Sequence, residues 1–249
     1  MIFAIAWREL RSLFLSPLAW AMLAVVQFIL AFLFLVLVAQ VQELAPQLAA
    51  LENAPGITEM IVPQLFGWAG IVLMFAVPLL TMRVLAEERR NRTLVLLYSA
   101  PVSRTQIVLG KYLGVLLFLC SIPVCIGLML LSLLAGGALD FGVLASGMLG
   151  LLLLLASFAA VGLFMSALTQ HSPVAAIASF GALLLFWILD WSGQGPHGGS
   201  LFAYLSLFNH YKPFLDGVFD SADALYHLLV IATFLVLSIR RLDADRIGG

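Results

Sequence analysis

The residues able to do chemistry in this chain are few, and they are gathered. Of 249 positions, 12 are Lys or Arg and 13 are Asp or Glu, and six of these 25 lie in one stretch, "AEERRNRTLVLLYSAPVSR", Ala86 to Arg104. Carboxylates at Glu87 and Glu88 stand beside guanidinium groups at Arg89, Arg90 and Arg92, and the apolar run Leu94 to Tyr98 follows directly. Charge alone fits a loop anchored at a membrane surface. An apolar patch next to it asks for a protein partner, so a docking element explains more of the stretch than anchoring does. The remaining candidates for chemistry are scattered. His197, His210, His227 and Asp190 would serve an intramembrane enzyme, yet long uncharged runs keep acidic and basic side chains out of the bilayer interior, where catalysts would stand out. Their spacing fits no metal motif. Cys120 and Cys125 sit in an apolar run and read as small buried hydrophobes. The chain also lacks a phosphate-cradling loop. Its nearest string, "GKY" at Gly110, has Thr105 in place of the first glycine and Tyr112 in place of Ser or Thr. Energy from ATP would have to come from another polypeptide.

What positions these residues follows from composition. The chain is 63% hydrophobic and only 10% charged, against about 25% charged for a soluble domain, which places it in the membrane class. No cleavable signal is evident. Uncharged runs of 31, 23, 28, 49 and 16 residues begin after Arg11, Glu59, Lys111, Asp140 and Asp223. A spanning helix takes about 20 residues, so the run of 49 holds two, parted at "TQHSPV", where Ser172 can cap and Pro173 can start a helix. The expectation is an all-α polytopic protein, one domain over residues 1–249. Six spans are expected, at about 17–40, 63–84, 106–134, 142–168, 173–191 and 223–239.

An even number of spans puts both ends of the chain on one side. That side collects Arg8, Arg11, Arg83, Arg89, Arg90, Arg92, Arg104, Lys111, Arg240, Arg241 and Arg246, while the other holds Lys212. The bias makes the first side cytoplasmic. Before span one, Phe3, Trp7, Leu10 and Phe14 recur at helical spacing beside Arg8 and Arg11, which suits a helix lying in the membrane interface or, more plainly, an extension of the first span. Ser103 and Gln106 are spaced for a capping box that opens span three, after a turn at Pro101. Pro78 and Pro123 should kink spans two and three. "LFAYLSLFNHYKPFLDGVFD", between spans five and six, is too apolar for a free loop and too interrupted for a span; non-spanning backbone at that depth must be buried in protein. Within it Asn209, His210, Lys212 and Asp216 either line an exit path or form interfacial helix surface. Small residues recur four apart at Ala175 and Ser179 and at Ala178 and Ala182 in span five, with a rival stripe at Ala156 and Ala160 in span four. Either could pack within one subunit or between two.

"FAIAWRELRSLFLSPLAW", "LLTMRVLAEERRNRTLVLLYSAPVSRTQIVLGKYLG" and "FNHYKPFLDGVFDSADALYH" together resemble an ABC-2 type transporter permease, closest to the gliding-motility (Gld-type) branch, over essentially the whole chain. The resemblance implies an N-terminal elbow helix over 1–15, carrying Trp7, Arg8, Glu9 and Arg11. It implies a coupling helix after span two, with Glu87, Glu88, Arg89, Thr93, Leu96 and Leu97 docking on a separate ATPase, followed by the turn at Pro101 and Ser103. Short re-entrant helices would lie between spans five and six, and two subunits would meet through spans one and five. Two cytoplasmic ATPase subunits, a second permease copy or paralogue, and membrane lipids are the implied partners, with room for an accessory subunit outside and no nucleic acid. ATP and Mg would sit on the ATPase, with no cofactor here, and the setting would be a bacterial inner membrane. The family usually has Gly where Arg92 stands and often an acidic residue where Val95 stands. Export is the implied function. The alternatives are a permease of copper-site or haem-maturation systems and a force-transmitting subunit that moves no solute; an intramembrane enzyme is least favoured.

Overall fold

A computed structural model describes residues 1–48, 56–91, 103–135, 139–193 and 204–247. Among them every regular element is helical, and six helices are long and apolar enough to cross a membrane. Helix α1 (Ile2–Leu15) precedes α2 (Pro17–Leu48), the first span. The second span is α3 (Ile57–Thr81) continued by α4 (Arg83–Arg90), and the third is α5 (Arg104–Leu119) continued by α6 (Ser121–Leu131) and a short 3-10 turn. Spans four and five are α7 (Phe141–Leu168) and α8 (Ser172–Gly193). A one-turn helix α9 (Lys212–Leu215) leads to α10 (Ser221–Ile247), the sixth.

Local chemistry sets the boundaries. Ser103 and Gln106 form the reciprocal capping box expected at the start of α5. Asp140 caps α7 by accepting from the Gly142 and Val143 amides. Ser172, expected as a cap, is instead the first residue of α8, and the Ala175 amide donates to the His171 carbonyl. Helices also outrun the uncharged windows. The first continues past Gln40 to Leu48, the second starts at Ile57, and the last reaches Ile247. An α-helix needs no apolar side chains to propagate once it is formed. The expected kink in span three is a break at Cys120, next to Leu119, the residue whose carbonyl meets the ring of Pro123 four positions on. Cys125 faces outward, contrary to the buried reading, and Cys120 is half-buried.

Spans two and four form the centre. Their most apolar windows are 61% and 67% buried, against 28%, 22% and 28% for spans one, five and six, which ring them. The segment 204–216 is not a span, and part of it is buried against the bundle, as non-spanning backbone at that depth must be. Leu207, Tyr211 and Phe214 are fully enclosed against α3 and α7. Tyr211 donates its hydroxyl proton to the Phe66 carbonyl, and complete burial pushes that phenol well above its ordinary pKa. Phe214 reaches α7 at Gly150, where an added Cβ would sit 2.5 Å from its own.

Helix α1 is distinct from span one. The chain turns at an extended Ser16, and Trp20 Nε1 donates to the Phe14 carbonyl left open at the end of α1. α1 lies on α5 with Ala6 buried, while Phe3 and Trp7 face outward. Contact is this close because α5 presents Gly110 and Gly114, one turn apart. A Cβ on Gly110 would come within 2.7 Å of Ile5 Cβ, and one on Gly114 within 2.8 Å of the Ala6 carbonyl oxygen. Gly114→Leu should therefore lift α1 from α5, at a cost of about 1–3 kcal/mol. Thiol labelling of a cysteine placed at Ala6 should accelerate in that variant; unchanged labelling would mean that α1 is held by other contacts.

Candidate functional site: a charge knot at the root of α4

The charged segment begins as α4, and the structure shows what fixes it. Span two does not run smoothly into α4: the Met82 amide still donates to the Pro78 carbonyl, but the Leu85 and Ala86 amides beyond it turn to a side chain. Ser166, from α7, repairs the break. Its hydroxyl accepts from the Leu85 and Ala86 amides and donates to the Met82 carbonyl, all at 3.0 Å. An unmade hydrogen bond at such depth costs several kcal/mol, and serine from a neighbouring helix is one of the few remedies.

The second fixture is Lys111. It falls inside the expected third span, on its cytoplasmic side, and within α5 it is 1% exposed. Its ammonium has three protons and meets three acceptors: Glu88 Oε1 at 2.8 Å, the Val84 carbonyl at 2.9 Å and Glu9 Oε2 at 3.1 Å. Arg8 Nη2 reaches the same Glu88 oxygen at 3.3 Å. Two cations and two carboxylates thus tie α1, α4 and α5 into one neutral cluster. Arg83 and Glu87, both half-exposed, pair beside it along α4. These six charges border a cavity of about 790 Å³.

The expected docking residues therefore divide. Glu87 is open to solvent at the cavity rim, whereas the Glu88 carboxylate is turned inward onto Lys111, with its side chain 18% exposed. Arg89 closes α4. Thr93, Leu96, Leu97 and Pro101 lie outside the described residues, as do Arg92 and Val95; Ser103 is the α5 cap. Of the first-helix residues, Glu9 and Arg8 belong to the knot, and Trp7 and Arg11 face outward.

At the other end, the proposed path residues are not brought together. Asn209, Lys212 and Asp216 are exposed, but His210 is buried. Its Nδ1 is 2.6 Å from Asp223 Oδ1, its Nε2 is 2.9 Å from the Tyr204 carbonyl, and its ring stacks on Tyr226 at 3.9 Å. These contacts anchor segment 204–216 to α10. His227 Nδ1 lies 3.0 Å from Ser157 Oγ, with both residues fully buried. A Ser–His pair without solvent access can pack but cannot hydrolyse. His197 is outside the described residues.

The two small-residue stripes also separate. Ala160 and Ser166 of span four are fully enclosed within the subunit, and Ala156 nearly so. In span five, Ala175 and Ser179 point inward, joined by a hydrogen bond from Ser179 Oγ to the Ala175 carbonyl, while Ala178 faces outward and Ala182 is half-buried.

Removing one member of a buried ion cluster leaves an uncompensated charge, worth about 3–5 kcal/mol. Lys111→Ala should thus lower thermal stability in detergent sharply, and Arg83→Ala by less than about 1 kcal/mol. Equal effects would show that the knot is not structural.

No curated protein matches the chain. A family model described as "ABC-2 family transporter protein" matches residues 3–245.

Proposed function

The chain belongs to the ABC-2 transporter family and is a membrane permease subunit of an ABC transporter; from that premise we propose that it is an exporter half driven by a separate ATPase docked on the segment that follows α4. The observation carrying this reading is the double fixation of α4. A short charged helix, tied by Lys111 to α1 and α5 and by Ser166 to α7, leads directly into the charged and apolar stretch 91–102. A force applied to that stretch would reach three elements at once. Two ATPase subunits, carrying the ATP and Mg²⁺, would close on binding nucleotide and push both coupling segments as a rigid-body motion. The charge bias supports a setting in a bacterial inner membrane with this end and both termini facing the cytoplasm, and the sequence motifs support the Gld-type branch. Asn209, Lys212 and Asp216 are left as the polar residues of an exterior exit, and an accessory subunit would attach on that side.

Because Glu88 is bound into the knot, its loss would disturb folding as well as docking. The informative substitutions are Glu87→Ala and Leu96→Asp. Each should reduce co-purification with the ATPase and abolish nucleotide-driven transport while the chain still inserts and melts normally. Normal co-purification of both would move the docking surface elsewhere. The chain purified alone should show no ATPase activity.

Two permeases would meet through spans one and five, the least enclosed with span six. A cysteine at the outward Ala178 should cross-link between two copies in membranes. A cysteine at Ala160, which is 0% exposed, should not. The reverse order would move the seam to span four.

A further inference from the structure

We infer that the cleft between α1, α2 and α3 binds one phospholipid with a zwitterionic, amine-bearing headgroup. Two cavities meet there end to end. The polar one, about 790 Å³, lies at the charge knot, and an apolar groove of about 460 Å³ continues from it between α2 and α3. Leu18 borders both, and the groove is walled by α2 as far as Ile29 and by Val72 to Leu79 of α3. At about 1.5 Å per residue, Leu18 to Ile29 rises roughly 16 Å, close to half of a hydrocarbon core of about 30 Å. The groove is thus as deep as one leaflet. Val25, Phe75 and Leu79 on its rim are half-exposed on the bundle's perimeter, where an acyl chain has access and the only competing occupant is a second copy meeting span one.

The polar end decides the headgroup. Its charged residues, Arg8, Arg83 and Lys111 against Glu9, Glu87 and Glu88, sum to zero. Lys111 has no donor to spare, since its three protons are used. Arg8 and Arg83 remain 58% and 46% exposed at their side chains and each meets its carboxylate through one nitrogen. Their other N–H groups can fork onto a phosphate. Glu87, also 46% exposed, lies beside them to accept from an ammonium. An anionic headgroup would bring the same phosphate but no ammonium for Glu87 to accept from. This inference depends on the membrane placement of the spans and not on the ATPase partner, so it can fail while the transport reading stands.

Native mass spectrometry of the full chain released from nanodiscs of equal phosphatidylethanolamine and phosphatidylglycerol tests it. One phosphatidylethanolamine should stay bound per chain. Ala21→Trp, which fills the groove from an outward position, and Arg83→Gln should each lower that occupancy about tenfold, the worth of one charge-assisted hydrogen bond or a blocked chain. Ala232→Trp, outward on α10, should leave it unchanged, and thermal melting checks that all three variants fold. Equal or preferred retention of phosphatidylglycerol, absence of any bound lipid, or undiminished binding by both groove and cavity variants would overturn the inference. So would cross-linking of a cysteine at Ala21 between two copies, which would make the groove a protein interface.

Discussion

A buried ammonium has to find an acceptor for every proton, and that single requirement organises the charged end of this molecule. Lys111 lies in a helix too apolar to satisfy it. The acceptors must come from elsewhere: one from the first helix, two from the root of α4. Three segments far apart in the chain are thereby brought to one point. Replacing the cluster by apolar residues could well give an equally stable bundle, since buried ion pairs seldom add net stability. What the ions add is register, because an apolar contact tolerates sliding and an ammonium with three acceptors does not.

The same end shows how a helical membrane protein handles close approach. α1 can bring Glu9 within reach of Lys111 because Gly110 and Gly114 leave a shallow channel on α5 for it to lie in. Packing and electrostatics here are one device. Without the glycines the carboxylate would be held away, and Lys111 would be left short of an acceptor. At the opposite end aromatic rings do the equivalent work, with Phe214 seated over Gly150 and Tyr211 bonded to Phe66.

How much of this could be read from the residues depended on how local the cause was. The six spans were legible because charge-free runs of sufficient length have few alternatives in water or lipid, and the Ser103–Gln106 box because both partners lie within one turn. Helix ends were less legible, because a helix continues past its apolar part, as at Gln40. The burial of Lys111 was not legible for a physical reason: counting charges treats each as solvated, and nothing near position 111 announces that Glu9 and Glu88 will enclose it. "GKYLG" holds a usable signal for the α1 contact, two small residues four apart on an apolar helix. Ser166 gave none, since its partners are backbone groups about 80 positions away that every residue possesses. Of the candidate site, the boundaries and charge content were visible, and the inward turn of Glu88 and His210 was not.

The joint at Met82 carries a consequence of its own. In an unbroken helix the angle between successive turns is fixed by the helix's own ladder, so bending at one point strains only local bonds. Here one hydroxyl from α7 holds both sides of the break, taking two amides from α4 and giving its proton to the carbonyl on the side of α3. The pivot thus belongs to span four as much as to span two. Rotating α4 about it would swing the oxygen of Ser166 or break its bonds, so any bending there would be borne by the centre of the bundle rather than its edge.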